Sequence, residues 1–173
     1  MAKAKKKMKM KKTAPRPLLG ALAGIVAGLA ASAAMEAFQN ATKKPEGEKT
    51  EAEKREEPAT VKAADKAALA VTGEPVPEPQ REPAGRAVHY VTGALLGAIY
   101  GVITEYKPEA ASGFGGAYGF ATSLVLDEGA VPAAGLAPPP TQTPLSSHGY
   151  GLASHLVYGI ALEGVRAILG GRR

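Results

Sequence analysis

Residues 18–35 read LLGALAGIVAGLAASAAM, a run whose only polar side chain is Ser32. With Pro17 before it and Glu36, Phe38 and Asn40 after it, the stretch is long enough to cross a bilayer core of about 30 Å at about 1.5 Å per residue. Gly20, Gly24 and Gly28 recur in it every fourth residue, which puts all three on one helix face. A face without side chains lets a second backbone come close, and in lipid such contact is a main force holding helices together. Residues 17–40 are therefore expected to form a membrane span that packs through glycine.

Charge orients this span. The chain has 173 residues with 21 Lys+Arg against 16 Asp+Glu, a net charge of +5. Lys3, Lys5, Lys6, Lys7, Lys9, Lys11, Lys12 and Arg16 all fall in residues 1–16, which hold no acid, so the rest of the chain is mildly acidic. A basic tail before a first span places the N-terminus in the cytoplasm. It would also touch anionic lipid, at about 1 kcal/mol per charge near the surface. No aromatic residue is interleaved with the lysines, so nucleic acid is not the expected partner. The same segment fits a secretory signal peptide with Ala31-Ser32-Ala33 as the cleavage site. The length of the apolar run and the membrane-like segments after it favour the uncleaved span.

Residues 41–83 differ in kind. They are rich in Lys, Glu and Pro and offer little to bury, as a solvated loop would. Within them Ala59–Val71 reads as one short surface helix, with Pro58 near its start and Gly73 as a stop. Three further spans are expected at 84–106, 112–136 and 145–169, before the basic end Arg172-Arg173. The third carries Asp127, Glu128 and Pro132, which predicts a kinked or broken helix. The fold class is thus all-α, an integral membrane bundle of four transmembrane helices with Gly-rich packing faces. Four spans return the C-terminus to the cytoplasm, where Lys107, Arg166, Arg172 and Arg173 join the basic tail. The location this predicts is a bacterial inner membrane, crossed several times with both termini cytoplasmic.

Gly93, Gly97 and Gly101 repeat the four-residue spacing in the second span, and Gly115 and Gly119 in the third. Such faces serve contacts within the chain, with a second copy, or with another membrane protein. There is also an internal echo. Tyr100-Gly101 with Glu105 and Tyr158-Gly159 with Glu163 share the pattern Tyr-Gly-x-x-x-Glu, as a duplicated two-helix unit would produce.

All three histidines, His89, His148 and His155, fall in expected spans, as do Glu36, Asp127, Glu128 and Glu163. Ionisable groups are costly in a bilayer, so each is a functional candidate. Glu36, His89, Asp127, Glu128, His148 and His155 all lie toward the outer side, and His148 and His155, seven apart, share one helix face. Three readings stand together. The cluster is interhelical hydrogen-bond glue, or it senses or relays protons. As a third reading, His89, His148, His155, Asp127 and Glu128 hold a transition metal, the only cofactor the composition suggests. The spacing lacks the Glu-x-x-His signature of di-metal bundles. Glu163 and Arg166, three apart, are expected to pair locally near the inner surface.

Other chemistry is excluded. The chain has no cysteine, hence no thiol nucleophile or zinc finger. Gly113-Phe114-Gly115-Gly116 is not a phosphate loop, because no Lys-Ser/Thr follows it. Ser146-Ser147-His148 lacks a nucleophile-elbow setting. An enzyme is not the expected function.

The runs Glu82-Pro83-Ala84-Gly85, Ala87-Val88-His89-Tyr90, Pro144-Leu145-Ser146-Ser147-His148 and Ala153-Ser154-His155-Leu156-Val157-Tyr158-Gly159 resemble the YagU-like family of bacterial inner-membrane proteins. The resemblance covers roughly residues 17–169. It implies location and topology, and it carries no catalytic residue, because the family is a domain of unknown function. Two functions follow from these readings. One is a small membrane protein that handles or senses protons or a metal ion. The other is a structural or assembly partner of another membrane protein.

Overall fold

The computed structural model describes residues 14–45, 47 and 57–171, and these form helices and turns without a strand. The lysines of the tail, most of the charged stretch 46–56, and Arg172-Arg173 lie outside the described residues. Five helices organise the rest: α1 Pro17–Thr42, α2 Ala59–Thr72, α3 Glu78–Tyr106, α4 Gly116–Val125 and α5 Leu145–Ile168. A π turn, Leu126–Ala130, and one α-helical turn, Val131–Ala133, prolong α4.

The boundaries follow local chemistry. α3 starts at Glu78, ahead of the expected 84, because Pro77 and Pro79 suit a helix entrance where backbone N–H groups have no partner anyway. Gly73 ends α2 in a left-handed conformation (φ 79°). Gly113, Phe114 and Gly115 all have positive φ and form the sharp turn into α4. The predicted break in the third span is the π turn. Pro132 cannot donate to the carbonyl four residues back, and just before it Val131 N donates to Leu126 O instead.

Only α1 and α3 are long and apolar enough to cross a membrane on length and composition. α4 is ten residues long before its π turn. α5 has 24 residues but includes His148, His155, Glu163 and Arg166, and it does not meet the same measure. Two of the four expected spans thus stand on composition alone.

Helix α1 packs antiparallel to α3 on one side and to α5 on the other, and α5 packs antiparallel to α4. The Tyr118 hydroxyl, which donates to Leu96 O at 2.8 Å, links α4 back to α3. The ring is α3–α1–α5–α4. One end, the tail end, holds Pro17, Tyr106 and Ile168; the other, the loop end, holds Thr42, α2 and the Pro138–Pro144 connection.

Packing is inverted relative to a water-soluble bundle. Ala27, Ala31, Ser32, Thr104 and Ser154 are fully buried, with Tyr100, Tyr158 and Leu162. Leu18, Leu22, Val26 and Leu29 on α1, Val91, Leu95 and Ile99 on α3, Phe120, Leu124 and Val125 on α4, and Ile160 on α5 point outward and are exposed. Small and hydroxylated residues line the inside because the helices touch there backbone to backbone.

The expected surface helix, α2, is docked at the loop end. Its Val61 sits against Gly85, where no Cβ would fit. Arg81 of α3 bridges Glu57 and Asp65, each at 2.5 Å. Lys66 Nζ reaches Ala134 O at 2.5 Å, so α2 spans from α3 to the end of the α4 segment.

Candidate functional site

The glycine faces meet each other. An added Cβ on Gly20 would lie 2.5 Å from Gly101 O, and one on Gly24 or Gly28 would run into the carbonyl of Gly97 or Gly93. Gly20, Gly24, Gly28, Gly93, Gly97 and Gly101 are therefore all spent on the α1–α3 contact within one chain. A second contact of the same kind joins Gly115 to Gly159 and Gly119 to the His155 carbonyl. Gly159 was visible in the sequence only as part of the Tyr-Gly-x-x-x-Glu echo.

The six polar residues expected toward one side do gather at the loop end, but as separate pairs. Glu36 of α1 accepts the Tyr90 hydroxyl at 2.7 Å and pairs with Arg86 at 3.0 Å, which ties α1 to α3. His89 Nε2 lies 3.2 Å from Ser32 O and adds a second tie between the same helices. Tyr90 and Arg86 were not among the expected site residues. Their signal was their place one turn apart on the helix entering the span.

The other four residues join α4 to α5. Asp127 Oδ1 lies 3.2 Å from His155 Nε2, and its Oδ2 accepts the Ser123 hydroxyl at 2.9 Å. Glu128 Oε1 lies 2.6 Å from His148 Nδ1. The other ring nitrogen of His148 lies 3.2 Å from both Pro140 O and Thr143 O. The widened π turn is what presents two consecutive carboxylates to the same neighbouring helix. The two pairs differ in burial. The difference lies in the histidines: Glu128, His148 and Asp127 are all partly exposed, whereas His155 is 7% exposed. His155 Nδ1, Ser32 Oγ and Ser154 Oγ are buried polar atoms without a hydrogen-bond partner.

This arrangement bears on the metal reading. Among the described residues, no three His, Asp or Glu side chains converge as a metal ion would require. His89 faces a backbone carbonyl, and His148 and His155 each face a different carboxylate, so the donor set His89, His148, His155, Asp127 and Glu128 is divided among three places.

Toward the tail end lies a second polar group. Arg166 grips Glu163 with two hydrogen bonds, 2.7 and 2.9 Å, and the Tyr100 hydroxyl donates to the same carboxylate at 2.9 Å. The guanidinium carbon is 5.8 Å from the centre of the Tyr100 ring. The pair forms as expected and is buried within the chain: Glu163 is 3% and Arg166 1% exposed. Glu105, also buried, accepts Arg16 N at 2.7 Å at the start of α1, where helix N–H groups are otherwise unpaired.

No family model matches the chain, and neither does a curated protein or a solved structure.

Proposed function

We propose that this protein is a four-span protein of a bacterial inner membrane, with both termini cytoplasmic, that takes up and passes on protons through the Asp127–His155 pair. The observation that carries the reading is a carboxylate–imidazole pair whose imidazole, His155, is buried in an inverted bundle while its carboxylate, Asp127, is partly exposed, with a second such pair, Glu128–His148, one step closer to the loop end. A neutral imidazole beside an ionised carboxylate bears one negative charge. Taking up one proton brings the pair to zero, which lowers the cost of holding it among apolar helices.

Several features support four spans. Large apolar side chains point outward on α4 and α5 as on α1 and α3. Exposed Tyr106 and Phe114 at one end and Tyr150 at the other occupy the levels where aromatic side chains meet a membrane interface. The π turn that interrupts α4 directs the Asp127 and Glu128 side chains to α5. The resemblance to YagU-like proteins agrees with this topology and belongs to the same proposal.

The second reading, a structural or assembly partner with the polar groups as glue, draws on the first hairpin. There Glu36, Tyr90, Arg86, His89 and Ser32 tie α1 to α3 and leave no buried ionisable pair. For that reading the contact surface would be other than the glycine faces, which are occupied within the chain.

Proton flux tests the proposal. Protein reconstituted in liposomes with a pH-sensitive dye inside should acidify the lumen under an imposed inside-negative potential. Asp127→Asn or His155→Gln should reduce this to the rate of empty liposomes, while His89→Ala should not. Equal flux in wild type and empty liposomes would overturn the reading.

A further inference from the structure

Two sets of contacts in this bundle repeat in register. Residues of α1 correspond to the α4 segment 95 positions on, and residues of α3 to α5 58 positions on. The contact of Gly20 with Gly101 becomes that of Gly115 with Gly159. The contact of Gly24 with Gly97 becomes that of Gly119 with the His155 backbone. Gly93, whose missing Cβ makes room for Ser32 Oγ, becomes Gly151, whose missing Cβ makes room for Asp127 Oδ2.

The echo motif keeps its work in both places. Gly101 and Gly159 touch the preceding helix, and Glu105 and Glu163 sit beside its start: Glu105 at Arg16 N, Glu163 against Gly115. Tyr100 and Tyr158 both cross to the other hairpin, to Glu163 and to Gly93 O. α1 runs parallel to α4, and α3 to α5. In the order α3–α1–α5–α4 the corresponding helices are not neighbours; the two hairpins join through the α1–α5 packing, whereas α3 and α4 meet mainly through Tyr118 at Leu96 O and Tyr100.

The shared register rests on a few contact positions, since most others differ, and three of the differences are chemical. Ser32 corresponds to Asp127, Gly97 to His155 and Gly28 to Ser123. Three positions that carry a hydroxyl or nothing in the first hairpin form the Ser123–Asp127–His155 chain of hydrogen bonds in the second. His155 keeps the backbone contact that Gly97 makes and adds an imidazole beside it. The π turn starts next to this point, and α1 has no counterpart to it.

We infer that the chain is a tandem duplication of one helical hairpin, in which the first copy preserves the packing template and the second has converted three template positions into a proton-binding site. The assignment of a proton as ligand rests on the function proposed above; the duplication does not. Among the described residues, no other ionisable group competes for the site. From α4, Asp127 faces His155, and Glu128 is taken by His148. The α1 residues packed in the core with α5 are Ala27, Ala31 and Met35. Glu36 is engaged by Tyr90 and Arg86, and Glu163 and Arg166, two turns along α5, satisfy each other.

The test writes the first hairpin into the second in the full-length chain. The double variant Asp127→Ser with His155→Gly installs residues that the same backbone contact already accommodates. It should purify with wild-type helicity and lose proton flux. A folded double variant with wild-type flux would overturn the placement of the site while leaving proton handling itself standing. A wild type without flux would sink the proton reading and leave the duplication to the second arm.

That arm uses paired rescues. Gly93→Ala should destabilise the chain and be restored by Ser32→Gly. Gly151→Ala, which meets only the movable Asp127 carboxylate, should cost less, and that cost should vanish with Asp127→Gly. Rescue in one hairpin but not the other, or a double variant that fails to fold while both rescues fail, would overturn the duplication.

Discussion

Gly24 and Gly97 meet backbone to backbone, each lying where the other's Cβ would have to be. The atom in the way is a carbonyl oxygen of a helix, which cannot rotate aside. In exposed helix positions Gly→Ala gains up to about 1 kcal/mol in helix propensity. Here the steric term should win. Gly24→Ala and Gly97→Ala should each lower the unfolding temperature in detergent, and the Leu variants should fail to assemble. Gly116→Ala, where nothing lies within 4 Å, should be neutral or stabilising. A Gly97→Leu variant with wild-type thermal unfolding would contradict the close contact.

The buried Glu163–Arg166 pair predicts an asymmetry between single and double substitutions. Removing one partner strands a charge in the bundle and should cost about 3–5 kcal/mol. Glu163→Gln or Arg166→Met alone should therefore be much worse than Glu163→Leu with Arg166→Met. Tyr100→Phe removes one donor to the carboxylate and should cost less than either. Denaturant titration in detergent reads all four.

Helix α2 should come loose without disturbing the bundle. Arg81 is partly solvated, and salt bridges in such settings contribute about 0–1 kcal/mol each. Arg81→Ala should speed hydrogen exchange across Ala59–Thr72 and leave α1 and α3 protected. Gly85→Leu, which removes the seat of Val61, should do the same more strongly. Unchanged exchange in both variants would show that α2 is held by something other than these contacts.

The four-span topology can be read with single cysteines, since the natural chain has none to interfere. Glu109→Cys at the tail end and Thr141→Cys at the loop end should label from opposite faces of intact membrane vesicles. A two-span arrangement would put both on the same face.

Much of this fold was legible in the primary structure because it depends on spacing along one helix. The run 18–35, the four-residue glycine period and the bounds of α2 and α5 are local properties. So is the irregularity at Asp127–Pro132, where a proline and two acids cannot sit in an undisturbed apolar helix. The individual site residues were also visible, because an ionisable side chain in an apolar run stands out wherever it points. Tyr90 and Arg86 were not singled out as site residues, since their one signal, a place one turn apart on the helix entering the span, is shared by many residue pairs.

What the sequence by itself determined is the list: which segments are helices, which faces carry no side chain, and which polar groups lie toward the loop end. Only the tertiary structure decided the partners. It joined Glu36 to Tyr90 and Arg86, gave Asp127 to His155 and Glu128 to His148, and so divided one expected cluster into pairs. It also buried Glu163 and Arg166, and it turned the short Tyr-Gly-x-x-x-Glu echo into a repeat of whole hairpins. The reason is physical: a periodicity says which residues share a face, whereas a hydrogen bond or ion pair needs a few ångströms between atoms, and that distance is set by which helices come together and in what register.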